Sequence, residues 1–150
     1  MSIFHQKDHR QELIERLKED YINELQLSEQ LKYHAETARY PQFCAKLLSL
    51  AESEKKQAAI IKGLLEKLSA AAPNEIPAVS IEKGRNLFQA LSRDLEMDNQ
   101  DYFHYYERIF EAETEGLTEI LPTLNQLRKE EDEHRQTLRS ILQKLNPYQV

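Results

Sequence analysis

Four long stretches of the sequence repeat apolar residues at alternating steps of three and four, and acidic residues interrupt each stretch near its middle. This spacing places the apolar side chains on one face of a helix, which packs into the core of a helical bundle. The interrupting acids are Glu24, Glu54, Asp98 and Glu131. Because an isolated ionised carboxylate in such a core costs several kcal/mol, a folded bundle must pair, protonate, hydrate or metallate these groups.

The composition is that of an all-α chain. Only 3 of the 150 residues are glycine and 5 are proline, while 31% are charged, which is typical of a mostly helical protein. We expect one domain, residues 1–150, with four helices. The periodicity, the capping residues and the prolines place these helices at about 8–38, 41–68, 80–115 and 117–145.

The four helices would form two hairpins joined by a single linker, residues 69–80. When the two hairpins are aligned, Glu54 matches Glu131 and Gln57 matches His134, so the polar layer is duplicated. At about 3.3 Å per residue the stretched linker could just cross the length of the bundle, which predicts a crossover connection. An up-down-up-down bundle satisfies the same linker length, so the linker alone leaves both topologies open.

The acidic residues nearly match a known way of holding metal ions in a helical bundle. One carboxylate from each of two helices, with a Glu-x-x-His pair from each of the other two, can bind two metal ions. Glu24 and Asp98 would supply the single carboxylates. Glu131 to His134 is a full Glu-x-x-His pair, and Glu54 to Gln57 is the same pair with glutamine in the place of histidine. Two divalent cations would balance four carboxylates; the alternative is a hydrated, partly protonated layer that sets helix register.

Three further side chains near this layer can each be interpreted in two ways. Asp101 lies off the main stripe of its helix, so it could ligate a metal or be solvated or salt-bridged. Tyr105 lies one heptad from Asp98, and Tyr21 lies one turn from Glu24. Either phenol could hydrogen-bond a ligand carboxylate, although tyrosines at such positions more often only pack in the core.

The remaining polar candidates lie away from the stripes. We expect Asp20 to be exposed near the rim of the bundle, and His34 and His104 to lie at the surface. A histidine such as His134 would by itself more often be a core residue than a ligand, but its spacing from Glu131 favours ligation.

Four segments, 24–35, 50–58, 98–101 and 112–117, carry a family resemblance. Residues 50–58, Leu-Ala-Glu-Ser-Glu-Lys-Lys-Gln-Ala, are similar to the second-helix signature of the ferritin-like superfamily, and within it of the rubrerythrins. Glu24 precedes Ala35 as the first-helix ligand of that family does. Residues 98–101 resemble its third-helix Glu-x-x-Glu with both acids shortened, and 112–117 resemble the turn before its fourth helix. The resemblance spans essentially the whole chain and implies a ferritin-like four-helix bundle.

The resemblance also implies a chemistry. Proteins of the rubrerythrin branch hold two iron ions, or another pair of transition metals, which react with peroxide or oxygen or oxidise ferrous iron. The sequence contains no Cys-x-x-Cys pair, so it lacks the rubredoxin-like iron centre of full rubrerythrins. The competing hypothesis is a metal-free, degenerate bundle that acts as a structural or interaction module. The implied metal ligands are Glu24, Glu54, Asp98, Glu131 and His134, with Gln57 and Asp101 as further candidates.

Charge and hydropathy limit the partners. The net charge is −6 and basic residues are interleaved with acids, so we do not expect a nucleic-acid partner. No apolar stretch approaches the roughly 20 residues of a membrane span, and the first ten residues are too polar for a signal peptide, so we expect a cytoplasmic protein. Apolar residues off the core stripes favour a homodimer; they are Ile14, Leu25, Ile60 and Leu142.

Overall fold

The computed structural model describes residues 8–145 and 147–148. Helices dominate these residues, and no strand occurs among them. The all-α class is therefore confirmed. The helices are α1, His9–Thr37; α2, Pro41–Lys67; α3, Leu87–Thr114; and α4, Leu121–Leu142, preceded by a 3₁₀ turn, Thr118–Ile120.

The segment 68–86 connects opposite ends of the bundle. It leaves α2 at Leu68, which packs in one core with Leu13 of the first turns of α1. It reaches the other end near Glu82, whose carbonyl oxygen lies 2.8 Å from Nε2 of His34 in the last turn of α1. The predicted crossover is confirmed, and α3 consequently runs antiparallel to α1. The up-down-up-down alternative is excluded.

The crossover is longer than predicted, because α3 begins at Leu87 and not near Ser80. Gly84 has a φ of +67°, and a Cβ there would meet the backbone nitrogen of Ala90 at 2.9 Å, so the chain turns tightly before the helix. Asn86 then caps α3, since its side chain accepts a hydrogen bond of 2.8 Å from a backbone N–H of the first turn.

The start of α4 also differs from the prediction. The chain turns at Gly116, with φ +67°, and passes through the 3₁₀ turn before α4 begins at Leu121 with Pro122 in its first turn. The helix ends at Leu142 rather than at 145.

Two apolar cores fill the bundle, one at each end. The lower core joins the start of α1, the end of α2, the end of α3 and the start of α4, and it includes Leu17, Leu64, Ile109 and Leu124. The upper core joins the opposite ends of the same helices and includes Leu31, Leu47, Leu91 and Leu138. The middle of the bundle, between the two cores, is therefore left to the interrupting acids.

The apolar residues proposed for a dimer surface mostly face the cores. Ile14 is buried in the lower core, and Ile60 and Leu142 pack against the cores as half-buried residues. Leu25 is half-buried as well. Most of the large apolar side chains that are exposed are aromatic instead, and those on α3 are Phe103, Tyr106 and Phe110. No helix in the described part of the chain is long and apolar enough to cross a membrane.

Candidate metal centre

A layer of buried acids lies between the two cores. Each helix contributes one of Glu24, Glu54, Asp98 and Glu131, and none of the four is more than 1% exposed. Asp101 joins them from α3 and is also buried, at 7% exposed. We call these five residues the carboxylate layer.

The layer contains two overlapping clusters of possible metal ligands. In the His134 cluster, Glu54, Asp98, Glu131 and His134 each offer one ligand atom, and these atoms all lie within 4.8 Å of one another. In the Asp101 cluster, Glu24, Asp101 and Glu131 meet the same condition. Because Glu131 belongs to both clusters, the arrangement fits a di-metal site with one bridging carboxylate.

His134 presents its Nδ1 atom to the layer. This nitrogen lies 2.8 Å from Oε1 of Glu54 and 3.4 Å from Oε1 of Glu131. Burial lowers the pKa of His134 to about 4, so the imidazole is neutral at neutral pH. The neutral ring is the form that ligates metal ions.

The carboxamide of Gln57 contacts three acids of the layer. With its nitrogen inward, it donates to Glu24 at 3.1 Å, Glu54 at 3.1 Å and Glu131 at 2.5 Å. With its oxygen inward, the nitrogen instead donates to Glu130 on the outside at 3.4 Å, and the oxygen faces carboxylate oxygens. The first orientation suits a layer without a cation. The second needs a cation, or shared protons, between the oxygens.

Three buried oxygens of the layer have no hydrogen-bond donor among the described residues as long as the acids are ionised. They are both carboxylate oxygens of Asp98 and Oε2 of Glu131. Leaving a buried acceptor unsatisfied costs about 1–3 kcal/mol, more if it is charged. Carboxylate oxygens with an imidazole nitrogen are ligands that divalent transition metals accept, so the donor set fits a metal pair.

Without a cation, the layer holds protons near neutral pH. Burial raises the pKa of Glu24 to about 7 and that of Asp98 to about 6. Burial, reinforced by repulsion between neighbouring carboxylates, raises the pKa values of Glu54, Asp101 and Glu131 well above their usual range. A metal ion that enters the layer must therefore displace protons.

The two tyrosines considered from sequence are placed differently. Tyr105 is 1% exposed, and its hydroxyl donates a hydrogen bond of 2.9 Å to Oε1 of Glu24. Tyr21 is half-buried and packs against the lower core. Within the described residues no hydrogen bond joins Tyr21 to the layer.

The expectation that Asp20 is exposed is wrong, because the side chain is only 4% exposed. Arg108 of α3 reaches it with two hydrogen bonds, Nε to Oδ2 at 2.8 Å and Nη2 to Oδ1 at 3.0 Å. This bidentate pair allows Asp20 to be buried one turn from Glu24. His104 is half-buried beside it, with Nδ1 3.9 Å from Oδ1 of Asp20, so its expected surface position is only partly correct.

The surface position expected for His34 is also wrong, since His34 is 1% exposed. Its Nδ1 lies 2.5 Å from Oδ2 of Asp94, and its Nε2 lies 2.8 Å from the carbonyl oxygen of Glu82. Gln30 donates to the other oxygen of Asp94 at 2.7 Å. Although burial opposes the charged ring, the hydrogen bonds and charge of Asp94 raise the pKa of His34. The imidazolium can then donate to both acceptors and fix the arriving crossover against α1.

Comparison with known proteins bears on the fold. No protein-family model matches the sequence, and a comparison with curated proteins finds no match. A similar solved structure is that of ferritin like, diiron-carboxylate proteins from Bacillus anthracis str. Ames, with a TM-score of 0.81 and 21% sequence identity. The match covers 91% of this chain and 99% of that chain. The chain therefore has the ferritin-like four-helix fold, as the sequence resemblance implied.

Proposed function

We propose that this protein holds two transition-metal ions, with iron as the expected metal, in its carboxylate layer and reduces peroxide or oxidises ferrous iron there. The observation that carries the proposal is the pair of ligand clusters joined by Glu131. The structurally similar Bacillus anthracis proteins are described as diiron-carboxylate proteins, which supports iron as the metal.

The residues would divide between the two ions. Glu54, Asp98 and His134 would hold one ion, Glu24 and Asp101 would hold the other, and Glu131 would bridge them. A bound ferrous pair would supply the two electrons that, with two protons, reduce peroxide to two waters. In the ferroxidase reaction, ferrous iron would give its electrons to peroxide or oxygen. The two apolar cores exclude water above and below the layer. Tyr105 orients the carboxylate of Glu24 and holds a proton next to it.

Gln57 would complete the ligands of the second ion. With its oxygen inward the amide is a weaker ligand than imidazole, and its nitrogen is held by Glu130. We expect this ion to bind more weakly than the ion held by His134.

Metal stoichiometry and a single round of peroxide reduction test the proposal together. Protein stripped with a chelator and reloaded anaerobically with ferrous iron should contain about two ions per chain and should consume peroxide. Glu131→Gln should lose most of the metal and the activity, because Glu131 belongs to both clusters. The matched control is Glu133→Gln, the same change at an exposed position on α4. Equal metal content in the two variants, or less than about one-tenth of an ion per chain in the parent protein, would refute the proposal.

A second function, that of a metal-free structural module, is favoured by one observation. With its nitrogen inward, Gln57 joins Glu24, Glu54 and Glu131 without any cation. If this is the working state, Glu54→Leu with Glu131→Leu should raise the melting temperature without loss of function, since buried unpaired acids are costly. A joint fall in stability and metal content would count against the module.

A homodimer and a cytoplasmic location remain predictions. Light scattering on the purified protein measures the first, and it also separates a dimer from a many-subunit storage shell.

A further inference from the structure

A cavity of about 310 Å³ opens at the upper end of the bundle, away from the carboxylate layer. The end of α1, the last part of the crossover and the start of α3 form its walls. Gly84 lies in the wall, where the close approach to Ala90 leaves no room for a side chain. A cavity of this volume is at the lower end of the range for small-molecule sites.

The cavity is lined by positive charge. Arg39, Lys83 and Arg85 line it, and none of its lining residues is acidic. No ion pair engages these three side chains within residues 8–145 and 147–148. The nearest crossover acid, Glu82, lies 3.3 Å from Arg93. Because the whole chain carries a net charge of −6, this basic site is a local feature rather than an average property of the surface.

Aromatic rings form the rest of the wall. Tyr33, Tyr40 and Phe88 line the cavity, and Nζ of Lys83 lies 5.8 Å from the centre of the Tyr33 ring. Tyr40 is 41% exposed, although an aromatic ring gains by burial. Rings beside cations suit a ligand that has both a planar apolar part and an anionic part.

The backbone that carries Lys83 and Arg85 is held in place before any ligand binds. His34 hydrogen-bonds the carbonyl oxygen of Glu82, the residue before Lys83, and so ties the crossover to α1. The backbone N–H of Arg85 donates to Gln89 of α3 at 2.6 Å. Leu87, the first residue of α3, also lines the cavity, so the positive end of this 28-residue helix adds to the field. Such preorganisation lowers the entropy lost on binding.

We propose that this cavity binds a phosphorylated aromatic small molecule of the size of a nucleoside monophosphate. The phosphate would contact Arg39, Lys83 and Arg85, with the guanidinium groups forming paired hydrogen bonds to its oxygens. The planar ring would lie against Tyr33 and Phe88. The site is separate from the carboxylate layer, so binding does not require metal.

Calorimetric titration with adenosine monophosphate tests the proposal, with adenosine and inorganic phosphate as the two halves of the probe. We expect one site per chain with a Kd of about 1 mM or tighter, and binding of each half weaker by about tenfold or more. Lys83→Gln and Arg85→Gln should each weaken binding by about tenfold. Tyr33→Ala should also weaken it. Circular dichroism would verify that each variant remains helical.

Lys62→Gln is the matched control, because it removes the same charge from an exposed position on α2 near the lower core. It should leave the affinity unchanged. An equal loss in Lys83→Gln and Lys62→Gln would mean unspecific attraction and would overturn the proposal, as would a Kd weaker than about 5 mM. Binding that needs iron and disappears in Glu131→Gln, but not in Lys83→Gln, would place the ligand at the metal centre and overturn it too. Binding that persists without metal supports the cavity whether or not the layer holds iron.

Discussion

Asp20 and Glu24 lie one turn apart on α1 and are both buried, but their surroundings differ. Asp20 shares two hydrogen bonds with Arg108, so its charge is neutralised by the chain itself. Glu24 accepts a hydrogen bond from Tyr105, contacts the carboxamide of Gln57 and otherwise faces other acids. At the upper end His34 and Asp94 form a second buried pair, like that of Asp20 and Arg108. In the described part of the chain, no Lys or Arg side chain is ion-paired with the carboxylate layer.

This difference indicates what each region needs. A buried ion pair with its hydrogen bonds complete requires nothing from outside, whereas a group of carboxylates must take up protons or cations. Three oxygens of the layer also have no hydrogen-bond donor among the described residues as long as the acids are ionised. The two buried ion pairs therefore stabilise the fold. The carboxylate layer is the region where a bound cation would stabilise the protein most.

The largest expected effect is on stability, and it appears when Asp is replaced by Asn once in the Asp20–Arg108 pair and once in the carboxylate layer. Asp20→Asn leaves Nε and Nη2 of the buried Arg108 without a carboxylate, with only Nη1 still paired to Glu107 and Glu111. The free energy of unfolding should fall by about 3–5 kcal/mol. Asp101→Asn in metal-free protein replaces an acid whose pKa is raised well above its usual range by burial and by neighbouring carboxylates, so stability should change little. Urea unfolding at neutral pH measures both. Equal losses would show that the two regions do not differ in this way.

Metal should stabilise the layer and leave the pairs unaffected. At about a thousand times its Kd, a metal ion that binds only the folded chain adds about 4 kcal/mol to the free energy of unfolding. We expect this gain for ferrous iron under anaerobic conditions, measured by thermal unfolding with and without chelator. Asp20→Asn should keep the gain despite its lower baseline, while Glu131→Gln should lose it. A gain that survives in Glu131→Gln would place the metal elsewhere.

The same contrast explains what the sequence could predict. The 3.5-residue stripes were enough for the four helices, and the interruptions at Glu24, Glu54, Asp98 and Glu131 were enough for a polar layer. The stripes could not separate Asp20 from Glu24, because periodicity specifies which face is buried but not which side chain lies opposite. Arg108, seven residues after Asp101 on α3, was the available signal for a buried pair.

The upper end was harder to predict for another reason. His34 is buried because the crossover covers it, and the course of the crossover depends on Gly84 and Asn86, which set a later start for α3. A linker has no periodicity, so its contacts cannot be inferred from spacing. Gln30 and His34 at one-turn spacing, with Asp94 one turn before Asp98, are the pattern that could have indicated the cluster.

A smaller effect concerns pH in the metal-free protein. Burial raises the pKa of Glu24 from 4.5 to about 7, so the folded chain holds a proton there that the unfolded chain releases. The stability from this proton is complete below pH 4.5 and is lost as pH rises to about 7, by about 3 kcal/mol. The difference in the free energy of unfolding between the parent chain and Glu24→Gln should change by that amount over this pH range. Taking the difference cancels the opposing effect of His134, which both proteins contain. A flat difference would contradict the burial of an unpaired acid, and iron should abolish the change because it replaces the proton.

The smallest expected effect is on metal affinity and comes from replacing Gln57. The two orientations of its amide suit the layer with and without a cation. Gln57→His replaces an amide that donates to three acids by an imidazole that can ligate metal. We expect the weaker of the two metal ions to bind about tenfold more tightly, which is about 1.4 kcal/mol, as measured by competition with a chromophoric chelator. The metal-free variant should be less stable than the parent, because the hydrogen bonds to Glu24, Glu54 and Glu131 are reduced. Gln57→Leu, which can neither donate nor ligate, should lose stability without gaining affinity. If Gln57→His and Gln57→Leu bind the weaker ion equally, residue 57 does not contact it, and the second ion would depend on the acids of the Asp101 cluster alone.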